Sequence, residues 1–155
     1  MENKEKLNWL ILIFPELLEK LQPTDSGNWG KMNALQMVEH LSASVRQASG
    51  KEVKVLLTPA DHLQRMRTFM LSEKPFKENT RNIEMPEDPA PAINSSMQDA
   101  IVELKLELAD FLAYYQSNPQ QKLMNPFFGV LDFEEWVHLL HKHAMHHARQ
   151  FALID

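Results

Sequence analysis

The sequence predicts an all-α protein: a four-helix bundle with one long crossover and an extra short helix. Apolar residues recur at the three- and four-residue spacing of a helix face in four substantial segments, and strand-like alternation is nowhere sustained. A long proline-containing stretch separates the second segment from the third. A bundle with one long crossover suits this pattern. The length of 155 residues, with 44% hydrophobic and 24% charged residues, predicts a single globular domain over residues 1–155.

The first two helices are predicted over residues 5–21 and 33–48. In the first, seven apolar residues share one face, and Pro15 inside the pattern predicts a kink or a restart of the helix. Asn33 is a residue type that caps helix N-termini, and Gly50 follows the end of the second segment, as glycine commonly does.

The remaining segments are a short helix over 60–72, a third main helix from about 96 to 115, and a last helix over about 132–152. The crossover, residues 73–96, contains four prolines and little periodicity, and it is too short to separate two domains. Residues 116–131 are predicted as a turn segment.

Composition excludes several functions. The net charge of −5 without a basic cluster argues against nucleic acid as a partner, because phosphate neutralisation needs clustered Lys and Arg. Without cysteine there is no thiolate ligand or cysteine nucleophile, so a thiol in any reaction has to come from a small molecule. The apolar run WLILIF is too short to span a bilayer, and no cleavage site follows it. We therefore expect a cytoplasmic protein without a membrane segment.

The stretch HLLHKHAMHHARQ, residues 138–150, carries five of the seven histidines. At about 100° per residue, His143 and His147 point within about 20° of Trp136, in the middle of the apolar arc of the last helix. Their i, i+4 spacing stacks them one turn apart, where they can share one ion. The alternative is a pair of core histidines bonded to backbone carbonyls, buried water or polar residues of facing helices.

The other three histidines of this stretch point elsewhere. His138 and His141 lie about 140–200° from Trp136 and are predicted to be solvated. His146 falls at the edge of the apolar arc, and Gln150 lies on the arc, where it either orients a ligand or caps the helix end.

A third ligand has to come from another helix. His40 borders the core-facing arc of the second helix, whereas His62 fits a surface position after Pro59. Together, His40, His143 and His147 would leave coordination positions open for water or substrate, as catalytic metal sites do.

Other site motifs are missing. The sequence contains no His-Glu-x-x-His, no Gly-x-Ser-x-Gly and no glycine-rich phosphate loop. Its one Glu-x-x-His, from Glu135 to His138, points away from the apolar arc, which argues against a di-iron site.

Three motifs, WGKMNALQMVEHL (29–41), NPFFGVLDFEEW (125–136) and HKHAMHHARQF (141–151), together resemble the DinB/YfiT-like superfamily. The closest similarity is to a branch of bacterial proteins with a Trp-Gly-Lys-Met segment before the first histidine. The resemblance covers most of the chain and all four main helices, and it is weakest over 55–95. Relatives commonly carry histidine where this chain has Asn125.

The resemblance implies an up-down-down-up four-helix bundle and a divalent metal ion, nickel or zinc, held by three histidines. Carried over by motif, these ligands are His40 of the EHL segment and His143 and His147 of the last helix, the same three that the helix faces select. Many relatives are dimeric, which permits a homodimer here.

Two functions follow as hypotheses. Members of the superfamily include thiol-dependent transferases and isomerases that use mycothiol or bacillithiol, which implies a metal-dependent transferase or hydrolase that activates a water or a low-molecular-weight thiol. The alternative is a non-catalytic metal-binding or stress-related interaction protein. A helical bundle with core histidines and no ion is the third possibility.

Overall fold

A computed structural model describes all 155 residues, from Met1 to Asp155. The chain is mostly helical, as predicted, and its only strands form one small hairpin. None of the helices is both long and apolar enough to cross a membrane. In chain order the elements are α1 (Asn3–Asn8), a π-helical turn (Trp9–Ile13), α2 (Phe14–Leu18), α3 (Ala34–Ala48), α4 (Ala60–Leu71), α5 (Met97–Ser117), β1 (Leu123–Asn125), β2 (Gly129–Leu131) and α6 (Phe133–Gln150).

The N-terminal helical segment restarts at Pro15, which confirms the predicted interruption. Pro15 has no N–H to donate and lies in the first turn of α2, where none is needed. Immediately before it the backbone widens into a π-helical turn, and the N–H of Phe14 donates to the carbonyl of Trp9. The segment ends at Leu18 rather than at Leu21, because the next residues form a tighter turn.

Capping residues define the starts of the three long helices. Asn33 accepts a hydrogen bond from the Gln36 N–H, and the Gln36 side chain accepts one from the Asn33 N–H. Asp132 forms the same reciprocal pair with Glu135, and the Ser96 hydroxyl caps α5. These caps place the helix starts within a residue or two of their predicted positions.

The segment predicted as a turn contains a β-hairpin, which the sequence pattern did not reveal. Strands β1 and β2 pair antiparallel, with Asn125 opposite Gly129. Three residues per strand are too few to show an alternating pattern. The buried Asn125 side-chain oxygen accepts hydrogen bonds from the N–H groups of Phe127 and Phe128, and Gly129 adopts a φ of +83°. Asn125 is therefore a turn-forming residue of this hairpin.

Helix α6 occupies the middle of the molecule. Helices α1, α3 and α4 all pack against it, and the most extensive contact between two helices is that of α3 with α5. The core forms one cluster of 27 buried apolar residues. Its largest fully buried side chains are those of Trp136, Phe14, Phe111, Leu18, Met37, Met70 and Leu131.

Candidate metal centre

Helices α3 and α6 bring the three predicted ligands together. The Nε2 atom of His143 lies 2.9 Å from Nε2 of His40 and 3.0 Å from Nε2 of His147. One ring nitrogen from each of the three histidines lies within 4.8 Å of the others. His40, His143 and His147 are therefore close enough to hold a metal ion.

Packing of α3 on α6 accounts for this convergence. Met37 and Leu41 are buried, so the side of α3 that carries His40 borders the core. Ala144 and Ala148, which follow the two α6 ligands directly, are also buried. The two α6 histidines stand one helical turn apart, as their spacing predicts.

Burial keeps all three imidazoles uncharged. Loss of solvent lowers the pKa of His40 to about 4, with a smaller contribution from His146. Burial and the neighbouring His147 and His40 rings hold the pKa of His143 well below its usual range. Burial, followed by repulsion from His40, lowers the pKa of His147 to about 3. At neutral pH the site therefore presents neutral imidazoles, the form that binds metal ions.

The hydrogen bonding of His143 shows that the three residues suit a cation. Its Nε2 lies within hydrogen-bond distance of two other imidazole nitrogens, but it can carry only one proton. An Nε2 atom offers one in-plane position, occupied by either a proton or a lone pair, so in the neutral set at most one of these two contacts is a well-directed hydrogen bond. A divalent ion removes this conflict, because each nitrogen then donates its lone pair to the ion.

The distances also suit an ion after small adjustments. Metal–nitrogen bonds of about 2.0–2.1 Å in a tetrahedral site separate the ligand nitrogens by roughly 3.4 Å. The two observed contacts, 2.9 and 3.0 Å, are about 0.4–0.5 Å shorter than this value, and the third pair of nitrogens lies within 4.8 Å, so the rings would have to shift to surround an ion. No carboxylate belongs to the group, so its ligands are all nitrogen.

Gln150 contacts one ligand directly. Its side chain is buried, and its Oε1 lies 2.7 Å from Nδ1 of His147. Its Nε2 donates to the backbone carbonyl of Trp29 at 2.8 Å. Of the two roles that the sequence left open, this geometry matches the orientation of a ligand.

Two further histidines lie where the helix faces predict. His146 is half-buried, and its ring packs near the rings of Trp29 and Phe76, at centroid distances of 5.5 and 6.1 Å. It is not part of the ligand group. His62 is exposed on α4.

His138 and His141 are buried, so the prediction that they are solvated is wrong. Each is only 8% exposed, because α1 and α4 cover the side of α6 that carries them. Nδ1 of His138 lies 2.8 Å from the ammonium of Lys6, and Nε2 lies 3.1 Å from the carbonyl oxygen of Ser72. The ring of His141 packs edge-on against Trp9, and its Nε2 has no hydrogen-bond partner.

Two buried lysines complete this second set of polar residues. Lys6 is 3% exposed and pairs with the carboxylate of Glu73 at 2.9 Å. Lys142 donates to the carbonyl oxygens of Phe69, Ser72 and Lys74 at the C-terminal end of α4, where carbonyls lack partners within the helix. We call Lys6, Glu73, His138, His141 and Lys142 the lysine-histidine cluster.

Sequence reasoning missed this cluster. The available signal was the apolar face of α4, with Leu63, Met66 and Met70, which had to pack against another element. If α4 packs against α6 through this face, a second side of α6 is covered. The pattern does not identify which residues of α6 are buried there.

Comparison of this chain with protein-family models, with curated proteins and with solved structures found no match. The family resemblance drawn from the three sequence motifs therefore stays a prediction. The observed geometry of the histidines stands independently of it.

Proposed function

We propose that this protein binds one divalent metal ion, zinc or nickel, through His40, His143 and His147. The observation that carries the proposal is the convergence of three Nε2 atoms from residues up to 107 positions apart in the sequence, on two different helices. Neutral imidazole is a preferred ligand of both metals. The two contacts of His143 Nε2, of which a neutral imidazole satisfies only one with good geometry, support a cation rather than a hydrogen-bonded core cluster.

The proposed fold is the up-down-down-up four-helix bundle of the DinB/YfiT-like superfamily. Its four helices would be the N-terminal helical segment, α3, α5 and α6, with α4 as the extra helix and residues 72–96 as the crossover. The packing of α3 on α5 and on α6, and of α1 on α6, supports this arrangement. The motifs that carry the resemblance contain the three histidines that converge.

The proposed chemistry is that of a metal-dependent transferase or hydrolase. A bound divalent ion lowers the pKa of a coordinated water or of a low-molecular-weight thiol, which supplies a nucleophile at neutral pH. The chain itself supplies three ligands, and a three-ligand set leaves a coordination position for that nucleophile. A thiol substrate would come from solution, since the chain has no cysteine.

The alternative is a structural ion in a non-catalytic or stress-related interaction protein. The observation in its favour is that His40 and His143 lie on different helices, so an ion would tie α3 to α6. The two proposals differ in what metal removal does. If chelation leaves the helical content and cooperative unfolding intact, the catalytic proposal gains; if chelation unfolds the protein, the ion is structural.

The test of metal binding is elemental analysis and zinc titration of protein prepared without a histidine tag. We expect about one equivalent of metal per chain, and loss of that equivalent in His147→Ala. The matched control is His146→Ala, which removes the neighbouring half-buried histidine and should keep the metal. Full metal content in His147→Ala, or no zinc binding by the parent protein, contradicts the proposal. A screen of thiol-transfer reactions with several cellular thiols then tests the chemistry.

A further inference from the structure

We propose that the loop of residues 27–30 is a positioning element of the metal site, and that it acts through Gln150 to fix the tautomer of His147. The inference rests on the proposed metal-binding function. Gln150 and the loop touch no reacting group; they are positioning residues, and they determine which nitrogen of His147 is available to an ion.

The first step is the orientation of the Gln150 amide. A backbone carbonyl oxygen can only accept hydrogen bonds, and the carbonyl of Trp29 lies 2.8 Å from the Gln150 side chain. The NH₂ group of Gln150 therefore has to face Trp29. The amide oxygen is left facing α6.

The second step is the position of the proton on His147. The amide oxygen of Gln150 can only accept, and it lies 2.7 Å from Nδ1 of His147. Nδ1 therefore carries the hydrogen, and a neutral imidazole has only one. Nε2 is left with a free lone pair, and it is this atom that lies 3.0 Å from Nε2 of His143. A hydrogen bond from the second ring nitrogen commonly orients a metal-bound histidine in the same way.

The third step is the close fit of the loop around Gln150. The N–H of Asn28 donates to the Gln150 carbonyl oxygen at 2.7 Å. A Cβ atom on Gly27 would lie 2.7 Å from Cγ of Gln150, and one on Gly30 would lie 2.8 Å from its Nε2. Gly30 also adopts a φ of +79°, which disfavours other residues. Glycine at both positions lets the loop approach the Gln150 side chain closely enough to hold it.

The same loop leads directly into the helix that carries His40. Asn33, the cap of α3, pairs with Ser26 across the loop in an isolated β-bridge. One short segment thus holds the residue that orients His147 and begins the helix that supplies His40. The 27–30 loop therefore connects the two helices that supply the ligands: it contacts Gln150 of α6 and leads into α3.

The direct test is the tautomer of His147, measured by ¹⁵N NMR in metal-free protein. We expect a protonated Nδ1 and an unprotonated Nε2 in the parent protein. Gln150→Leu should lose this preference and weaken zinc binding by about 10- to 100-fold, the usual effect of losing a partner behind a metal ligand. Gln150→Glu keeps an acceptor for the Nδ1 proton but loses the donor to the Trp29 carbonyl, so it should retain the tautomer and weaken zinc binding less than Gln150→Leu does. A parent protein with its proton on Nε2, or a Gln150→Leu variant with unchanged tautomer and zinc affinity, overturns the inference.

The loop is tested with a matched pair of glycine variants. Gly30→Ala and Gly50→Ala both place a side chain at a positive φ, +79° and +77°, but only Gly30 lies against Gln150. Gly30→Ala should weaken zinc binding about tenfold, whereas Gly50→Ala should destabilise the fold without changing zinc affinity. Equal effects of the two variants on zinc affinity overturn the role of the loop. If the parent protein binds no zinc, the proposed function fails, and the NMR measurement still decides the tautomer.

Discussion

Helix α6 carries polar residues on two covered sides, and the two sides differ in the partners that they offer to the imidazole nitrogens. On one side, His143 and His147 meet His40, and the hydrogen-bond contacts of these three rings are with one another and with Gln150. On the other side, Lys6 and Lys142 bring their own positive charge and donate to an imidazole and to backbone carbonyls. Buried lone pairs need a donor or a cation in both places. The chain supplies a lysine for His138 in the lysine-histidine cluster and none for the three histidines of the candidate metal centre, which is why we expect an ion from solution there.

The lysine-histidine cluster is also a junction between distant segments. Lys142 binds the last carbonyls of α4, and Lys6 ties α1 to both His138 and Glu73. The hydrogen-bond contacts of the candidate metal centre join α3, α6 and the loop that leads into α3. We therefore expect one side of α6 to contribute mainly to stability and the other to bind the proposed ion.

The largest expected effect concerns zinc affinity. His143→Ala removes the central ligand, and we expect zinc binding to weaken by well over a hundredfold, more than the loss of a residue behind a ligand produces. His141→Ala removes a buried histidine two positions away on the other side of α6 and should leave zinc affinity unchanged. Titration calorimetry measures both. Comparable losses of zinc affinity in the two variants would contradict the assignment of zinc binding to one side of α6.

The next effect concerns stability. Lys142→Met removes the charged donor to the carbonyl oxygens of Phe69 and Ser72. The Ser72 N–H still donates to the Phe69 carbonyl and Nε2 of His138 still lies 3.1 Å from the Ser72 carbonyl, so the free energy of unfolding should fall by about 1.5 kcal/mol. Chemical denaturation of metal-free protein measures this change, and zinc affinity should stay within about twofold.

The matched control for Lys142→Met is Glu73→Gln. The Glu73 side chain is 72% exposed, so water screens its pair with the buried Lys6, and a glutamine still offers an oxygen to the Lys6 ammonium. We therefore expect a loss of less than about 1 kcal/mol. A larger loss in Glu73→Gln than in Lys142→Met would show that the ion pair, not the buried donor, stabilises the junction.

The smallest expected effect concerns pH. Burial lowers the pKa of His138 from its ordinary 6.5, and Lys6 and Lys142 lower it further, although the Ser72 carbonyl and Glu73 oppose them. The unfolded chain therefore takes up the proton first as the pH falls, so this contribution is complete above pH 6.5 and declines below it. Each unit of lowering corresponds to about 1.4 kcal/mol.

His138→Gln isolates this contribution. Glutamine can accept from Lys6 and donate to the Ser72 carbonyl, but it does not titrate. Between pH 7 and 5, the unfolding free energy of metal-free His138→Gln should fall by less than that of the parent protein. A parallel decline in the two proteins would place the pH dependence elsewhere.

Local patterns predicted the features that depend on local interactions. The capping residues Asn33 and Asp132 and the apolar periodicity located α3 and α6 within two residues. The 3.6-residue period alone placed His143 and His147 together on one side of α6. The hairpin at Asn125 escaped prediction because three-residue strands carry no readable period.

By itself, the sequence determined the helices and the direction in which each side chain leaves its helix, because both depend on residues within a few positions of one another. Only the tertiary structure decided what each side chain meets. Helical geometry points His138 away from Trp136, but the packing of α1 and α4 makes that direction buried. Likewise, His40 becomes a partner of His143 only because α3 lies against α6, a contact between residues 103 positions apart. Long-range packing of this kind depends on the apolar faces of all the helices together, so the sequence of any single helix does not determine it.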